Sequence, residues 1–158
     1  MQFRWLIDAL TSSPQRFKVV VGGGQFLSPY DRWEGYAQFA FERDRLLDEI
    51  RRRQIEGVFF LSGDRHHTEL VRIHPTGLYP LYDFTSSPLT SRGASASGEL
   101  DSPVRIDGTL VNKKRNFGML RFMGPPTDRK VEFETFDNQG KSLWKHVIKA
   151  QELKFKSP

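Results

Sequence analysis

The chain has 158 residues, 37% hydrophobic and 13% aromatic with 13 Phe, which suits one compact domain over 1–158; with no Cys, disulfides and thiolate metal sites are excluded. No stretch approaches the roughly 20 apolar residues of a membrane span, and the first residues lack the regions of a signal peptide, which leaves the compartment open. The net charge of +5 suits nucleic acid or small anionic substrates equally, but Arg51-Arg52-Arg53 reads as a helix end and Lys113-Lys114-Arg115 as a solvated loop, so no nucleic-acid partner is specifically indicated.

Phe3, Leu6, Ile7 and Leu10 fall at helical spacing, so residues 2–12 read as a helix that stops at Ser12-Ser13-Pro14. Phe17 to Val21 reads as a buried strand running into Gly22-Gly23-Gly24. No Lys-Ser/Thr follows those glycines, so they make a flexible or tightly packed loop rather than a phosphate loop. Residues 25–34 read as a loop and residues 34–54 as a helix, with Tyr36, Phe39, Ala40, Leu46, Leu47 and Ile50 on its apolar stripe. Arg43 falls on that stripe, where it would pair with a buried acid or snorkel outward.

Val58-Phe59-Phe60-Leu61 reads as a buried strand. The order helix, strand, helix, strand implies a right-handed crossover between parallel strands. Leu70 to Ile73, Tyr79 to Thr85, Phe117 to Phe122, Val131 to Phe136 and Leu143 to Ile148 also read as strands, with Asn138-Gln139-Gly140 as a hairpin turn. Residues 91–115 read as a long loop with a short strand at Val104-Arg105-Ile106. The expected fold is α/β in its first half (α+β overall), followed by antiparallel strands.

The candidate site follows the second strand, at Ser62-Gly63-Asp64-Arg65-His66-His67. Gly63 would allow the sharp turn. Asp64 and His66 then emerge at a strand's C-terminal end, a common place for ligand groups in α/β sheets. Carboxylate with imidazole suits Zn, Mn or Fe, and carboxylate alone suits Ca or Mg. The plain alternative is a solvated turn. His67 reads as a donor behind the ligands, a substrate contact, or the first residue of the next strand. Arg65 reads as a bidentate phosphate contact or an exposed loop residue. Glu69 reads as a support for His66 or as a surface position, and His74 and His146 as surface residues.

Three stretches together resemble the PhoD-like alkaline phosphatases of the calcineurin-like metallophosphoesterase superfamily: Glu42-Arg43-Asp44-Arg45-Leu46-Leu47, Phe59 to His66, and Tyr79-Pro80-Leu81-Tyr82-Asp83-Phe84-Thr85-Ser86-Ser87-Pro88-Leu89. Asn116-Phe117-Gly118 and the closing strands with Trp144 also fit. The resemblance implies a two-sheet sandwich with a metal centre of Fe, Ca, Zn or Mn between strand ends. It implies hydrolysis of a phosphoester by metal-activated water. Asp64 and His66 stand where the family carries its last ligand pair, which makes His66 and His67 the catalytic candidates, Asp64 and His66 the metal ligands, and Arg65 the substrate contact. Asp83 is expected to be structural.

The family's earlier motifs, an Asp-x-Asp or Asp-x-His after the first strand, a Gly-Asp pair and an Asn-His-Asp/Glu segment, have no counterpart ahead of Gly63 in this sequence. The chain therefore reads as the C-terminal half of such an enzyme, holding part of the metal site and inactive or incomplete alone. The alternative is a binding or interaction domain that keeps the fold without a complete metal site. Strand edges left open by a missing half would favour a homo-oligomer.

Overall fold

The computed structural model describes residues 1–31, 33 and 35–156. Its elements are α1 (Gln2–Ser12), β1 (Lys18–Val21), α2 (Ala40–Arg52), β2 (Val58–Ser62), β3 (Glu69–Ile73), β4 (Leu81–Thr85), β5 (Asn116–Met123), β6 (Lys130–Asp137) and β7 (Ser142–Lys149). Two sheets result. The first is mixed, in the order β1-β2-β4-β3, and the second is antiparallel, in the order β5-β6-β7.

In the first sheet β1, β2 and β4 run parallel and β3 runs against β4. Side chains alternate across the sheet. One face presents Phe59, Tyr82 and Phe84 to the second sheet. Phe133 meets Phe59 and Phe84 edge-on at 5.3 and 5.5 Å, and Trp144 meets Phe84 at 5.5 Å. Edge-to-face geometry is favourable for rings beyond the area they bury. Gly118 on β5 makes this approach possible, because a Cβ there would lie 2.5 Å from the Phe84 ring. On the other face Phe60 packs on Phe26, and Ile7, Leu10, Leu46, Leu47 and Ile50 join the same apolar core.

Several expectations need correction. The second helix begins at Ala40, not at 34; Tyr36 to Phe39 form turns, and Phe39 is exposed. Tyr36 has the helical spacing, but its ring stacks on Phe26 at 4.4 Å and its N–H donates to the Gln25 carbonyl. Arg43 pairs with the exposed neighbour Asp44, not with a buried acid. β1 is an edge strand rather than a buried one: Val20 is covered, while Val21 is 69% exposed. The stretch 104–106 forms no strand; Arg105 makes one isolated bridge to Val71 within a long connection. His74 is exposed as expected, whereas His146 is half-buried against the Tyr82 ring, and burial lowers its pKa. Part of the 25–34 loop, at Arg32 and Glu34, lies outside the described residues.

Candidate functional site

The C-terminal ends of the three parallel strands open onto one crevice. Gly22 to Gly24 follow β1, Gly63 to His67 follow β2, and Ser86-Ser87 follow β4. Backbone bonds tie these ends together: Gly63 N–H to the Gly23 carbonyl at 3.0 Å, and Ser86 N–H to the Ser62 carbonyl at 2.9 Å. The turn after β2 does not depend on Gly63, whose Cβ position is open to 3.8 Å and whose φ is not positive. The left-handed residues are instead Asp64 (φ 63°) and His66 (φ 54°). Asp and His tolerate this region better than most residues, and it costs energy all the same. The turn holds because the His66 N–H donates to Ser87 Oγ at 3.1 Å and the His66 carbonyl accepts from Ala94 N–H at 2.8 Å.

Asp64 and His66 both line a cavity of about 410 Å³, together with Trp33, Arg65, His67, Glu99 and the small residues Ala94 to Ser97. Asp64 is exposed and His66 half-buried. His66 Nδ1 lies 2.9 Å from the Arg92 carbonyl oxygen. A carbonyl only accepts, so Nδ1 carries the proton and Nε2 keeps its lone pair. Among the described residues Nε2 makes no hydrogen bond.

Arg65 is buried. Its Nη1 donates to Gln25 Oε1 and its Nη2 to Glu99 Oε1, each at 2.5 Å. Its fork is therefore filled by protein acceptors rather than open to a phosphate. Gln25 passes the connection on, donating from Nε2 to Glu69 Oε1 at 2.6 Å and to Thr85 Oγ1 at 2.8 Å. Glu69 also receives Arg105 Nε at 2.5 Å on Oε2 and faces His67 Nε2 at 3.3 Å on Oε1. Arg105 Nη2 returns to the Glu99 carbonyl at 2.6 Å. Glu69 thus serves His67, Gln25 and Arg105, not His66, and it is buried rather than on the surface. Burial opposes its ionisation, but the bond and charge of His67 and the Arg105 guanidinium outweigh this and hold its carboxyl at about 2.

His67, Glu69 and Glu99 bring ligand-type atoms within 4.8 Å of one another. Among the described residues Glu99 Oε2 has no hydrogen-bond partner. The set is nonetheless a poor cation site. Two carboxylates are already balanced by two guanidiniums, so a divalent ion would add uncompensated buried charge. Asp64 and His66 stand on the cavity wall outside this charge-balanced cluster.

Asp83 is fully buried below the crevice, as its structural reading requires. It accepts Phe26 N–H at 2.7 Å, Leu27 N–H at 3.0 Å and Ser62 Oγ–H at 2.8 Å. Burial pushes its pKa up to about 6 against these three donors. It fixes the loop segment that follows Gln25. Sequence reasoning did not find Gln25, Glu99, Arg105 or Trp33. All four lie in loops without periodicity, and the side-chain partners of Gln25, Glu99 and Arg105 (Glu69 and Arg65 among them) are distant in sequence.

A family model described as PhoD-like phosphatase matches residues 1–127. No curated protein matches the sequence. Among solved structures, one described as the structure of PhoD is 18% identical with a TM-score of 0.63, over 94% of this chain and 34% of that one. The chain thus spans about a third of that protein, and the likeness shows a shared fold. A double mutant of Vps29 from Entamoeba histolytica is 18% identical with a TM-score of 0.38, over 87% of this chain and 57% of that one.

Proposed function

We propose, from the premise that this chain belongs to the PhoD-like phosphatase family, that it carries part of a metal-dependent phosphoester-hydrolysing site in which Asp64 and His66 are the metal ligands. The observation that carries the reading is the His66 ring. Its Nδ1 is held by the Arg92 carbonyl, which leaves Nε2 with its lone pair for a ligand, and His66 and Asp64 line one cavity. Metal-bound histidines are commonly oriented this way by a bond to the other ring nitrogen. One carboxylate oxygen and one imidazole nitrogen suit Fe, Zn or Mn, and the carboxylate suits Ca. A bound metal supplies Lewis acidity at a phosphoryl oxygen and lowers the pKa of water.

The other residues act by position. Arg65 ties the turn to Glu99 and so sets the distance between Asp64 and the 94–99 wall. His67, 1% exposed, braces Glu69. Both therefore brace the cavity wall they line, and the Arg65 fork, taken by Gln25 and Glu99, holds the wall in place of the direct substrate contact expected of it. The substrate is a small phosphoester, sized by a cavity of about 410 Å³. Two ligands do not complete a metal centre, so further donors come from outside this pair.

We further propose that the open sheet edges are covered by polypeptide beyond this single chain, a second copy included. Val21 on edge strand β1 is 69% exposed and Phe122 on edge strand β5 is 49% exposed. Unpaired edges with apolar side chains favour such pairing.

The metal assignment is tested by titrating the chain with Mn²⁺ and reading paramagnetic broadening of backbone amides. Broadening centred on Gly63 to His67, lost in His66→Ala, supports it. Broadening centred elsewhere, or unchanged in His66→Ala, overturns it.

A further inference from the structure

Trp33 is out of keeping with its surroundings. The residue is 68% exposed, and its φ of 62° puts a bulky residue in the left-handed region. A Trp there is strained, and its ring gains little from burial in return. The same ring lines the cavity that holds Asp64 and His66. The same cavity is lined by Ala94, Ser95, Ala96 and Ser97, none of which fills space as a large side chain would. Among the described residues Trp33 is the one large apolar side chain on this lining.

We propose that Trp33 is a specificity residue, stacking on a flat aromatic group carried by the phosphoester. The inference rests on the phosphoesterase reading and narrows its substrate class to aryl or nucleobase-bearing phosphoesters. The polar end of such a ligand meets Asp64 and His66, and its ring lies on Trp33. The small residues on the same lining leave room for a planar group. An alkyl phosphoester offers the same phosphorus chemistry without the ring, so Trp33 discriminates between the two. Aromatic stacking on an exposed indole gives a modest preference, about five- to tenfold.

The test uses the 158-residue chain with Mn²⁺ and non-hydrolysable probes: phenylphosphonate, ethylphosphonate, inorganic phosphate and benzyl alcohol. Binding is followed by NMR, including the Trp33 indole N–H. Phenylphosphonate should bind about five- to tenfold tighter than ethylphosphonate and move the Trp33 signal. Trp33→Ala should remove that preference while ethylphosphonate binding stays the same, and Trp33→Phe should keep most of it. Equal affinity of the two phosphonates, or a preference that survives Trp33→Ala, overturns the stacking role and leaves the phosphoester reading standing. Benzyl alcohol binding through Trp33 with no binding of any phosphorus probe upholds the aromatic wall and overturns the phosphoester reading. Binding of none of the four overturns both.

Discussion

His66 Nδ1 lies 2.9 Å from the carbonyl oxygen of Arg92, twenty-six residues further along the chain. The long 91–115 connection thus fixes the tautomer of a residue on the β2 turn. Displacing Arg92 should then release the ring without touching its chemistry. Deleting one residue between Ser91 and Gly93 should weaken metal binding about tenfold or more, the scale seen when a ligand's supporting bond is lost. Calorimetric titration with Zn²⁺ checks this; unchanged affinity would show that the carbonyl does not orient the ring.

Arg65 and Glu99 form a pair with side chains 5% and 3% exposed. Removing one partner leaves the other buried and unpaired. Arg65→Met or Glu99→Leu alone should each cost about 3–5 kcal/mol in urea unfolding. The double variant should recover much of that loss. Additive losses would show that the two charges do not depend on each other.

Asp83 gives a pH dependence with a definite sign. Its folded pKa, about 6, is raised above the unfolded value of 3.8. Its contribution to stability is therefore full below about pH 4 and declines as pH rises through 6. The decline amounts to about 3 kcal/mol at most, at 1.36 kcal/mol per unit. Urea midpoints at pH 4 and 7 should fall more for the parent chain than for Asp83→Asn. Parallel curves would contradict the assignment.

Strand β2 and its turn were legible because an apolar run met Gly-Asp at the point where the sheet ends. Which turn residue bears the left-handed backbone was not, since Gly63 was the obvious candidate and Asp64 and His66 took the role. The start of α2 was misplaced because Tyr36 and Phe39 fit its period, while the stack of Tyr36 on Phe26 decided their conformation. The network of Gln25, Arg65, Glu69, Glu99 and Arg105 had no local signature. Its members are up to 80 positions apart, and only the fold brings them together.

Hydrolysis by the chain alone should be slight. Two-metal chemistry needs ligands from several strands, and Asp64 with His66 is one pair. Phenyl phosphate turnover with Mn²⁺, Ca²⁺ or Zn²⁺ should stay near background. Robust turnover abolished by His66→Ala would show that the chain holds a complete centre.

Assembly should follow the open edge of β1. Sedimentation at micromolar concentration should show association, and Val21→Lys, which places charge on that edge, should shift the protein towards monomer. A monomer in both cases would show that the edge is tolerated unpaired.

The most direct measurement is nitrogen-15 NMR of the imidazole side chains before and after Zn²⁺. Before metal, His66 should show a proton on Nδ1 and a bare Nε2. On addition of Zn²⁺ the Nε2 resonance of His66 should shift while His74 and His146 stay in place, and Asp64→Ala should weaken the response. A proton on Nε2, or a His66 signal unmoved by metal, would contradict the assignment of Asp64 and His66 as the metal pair.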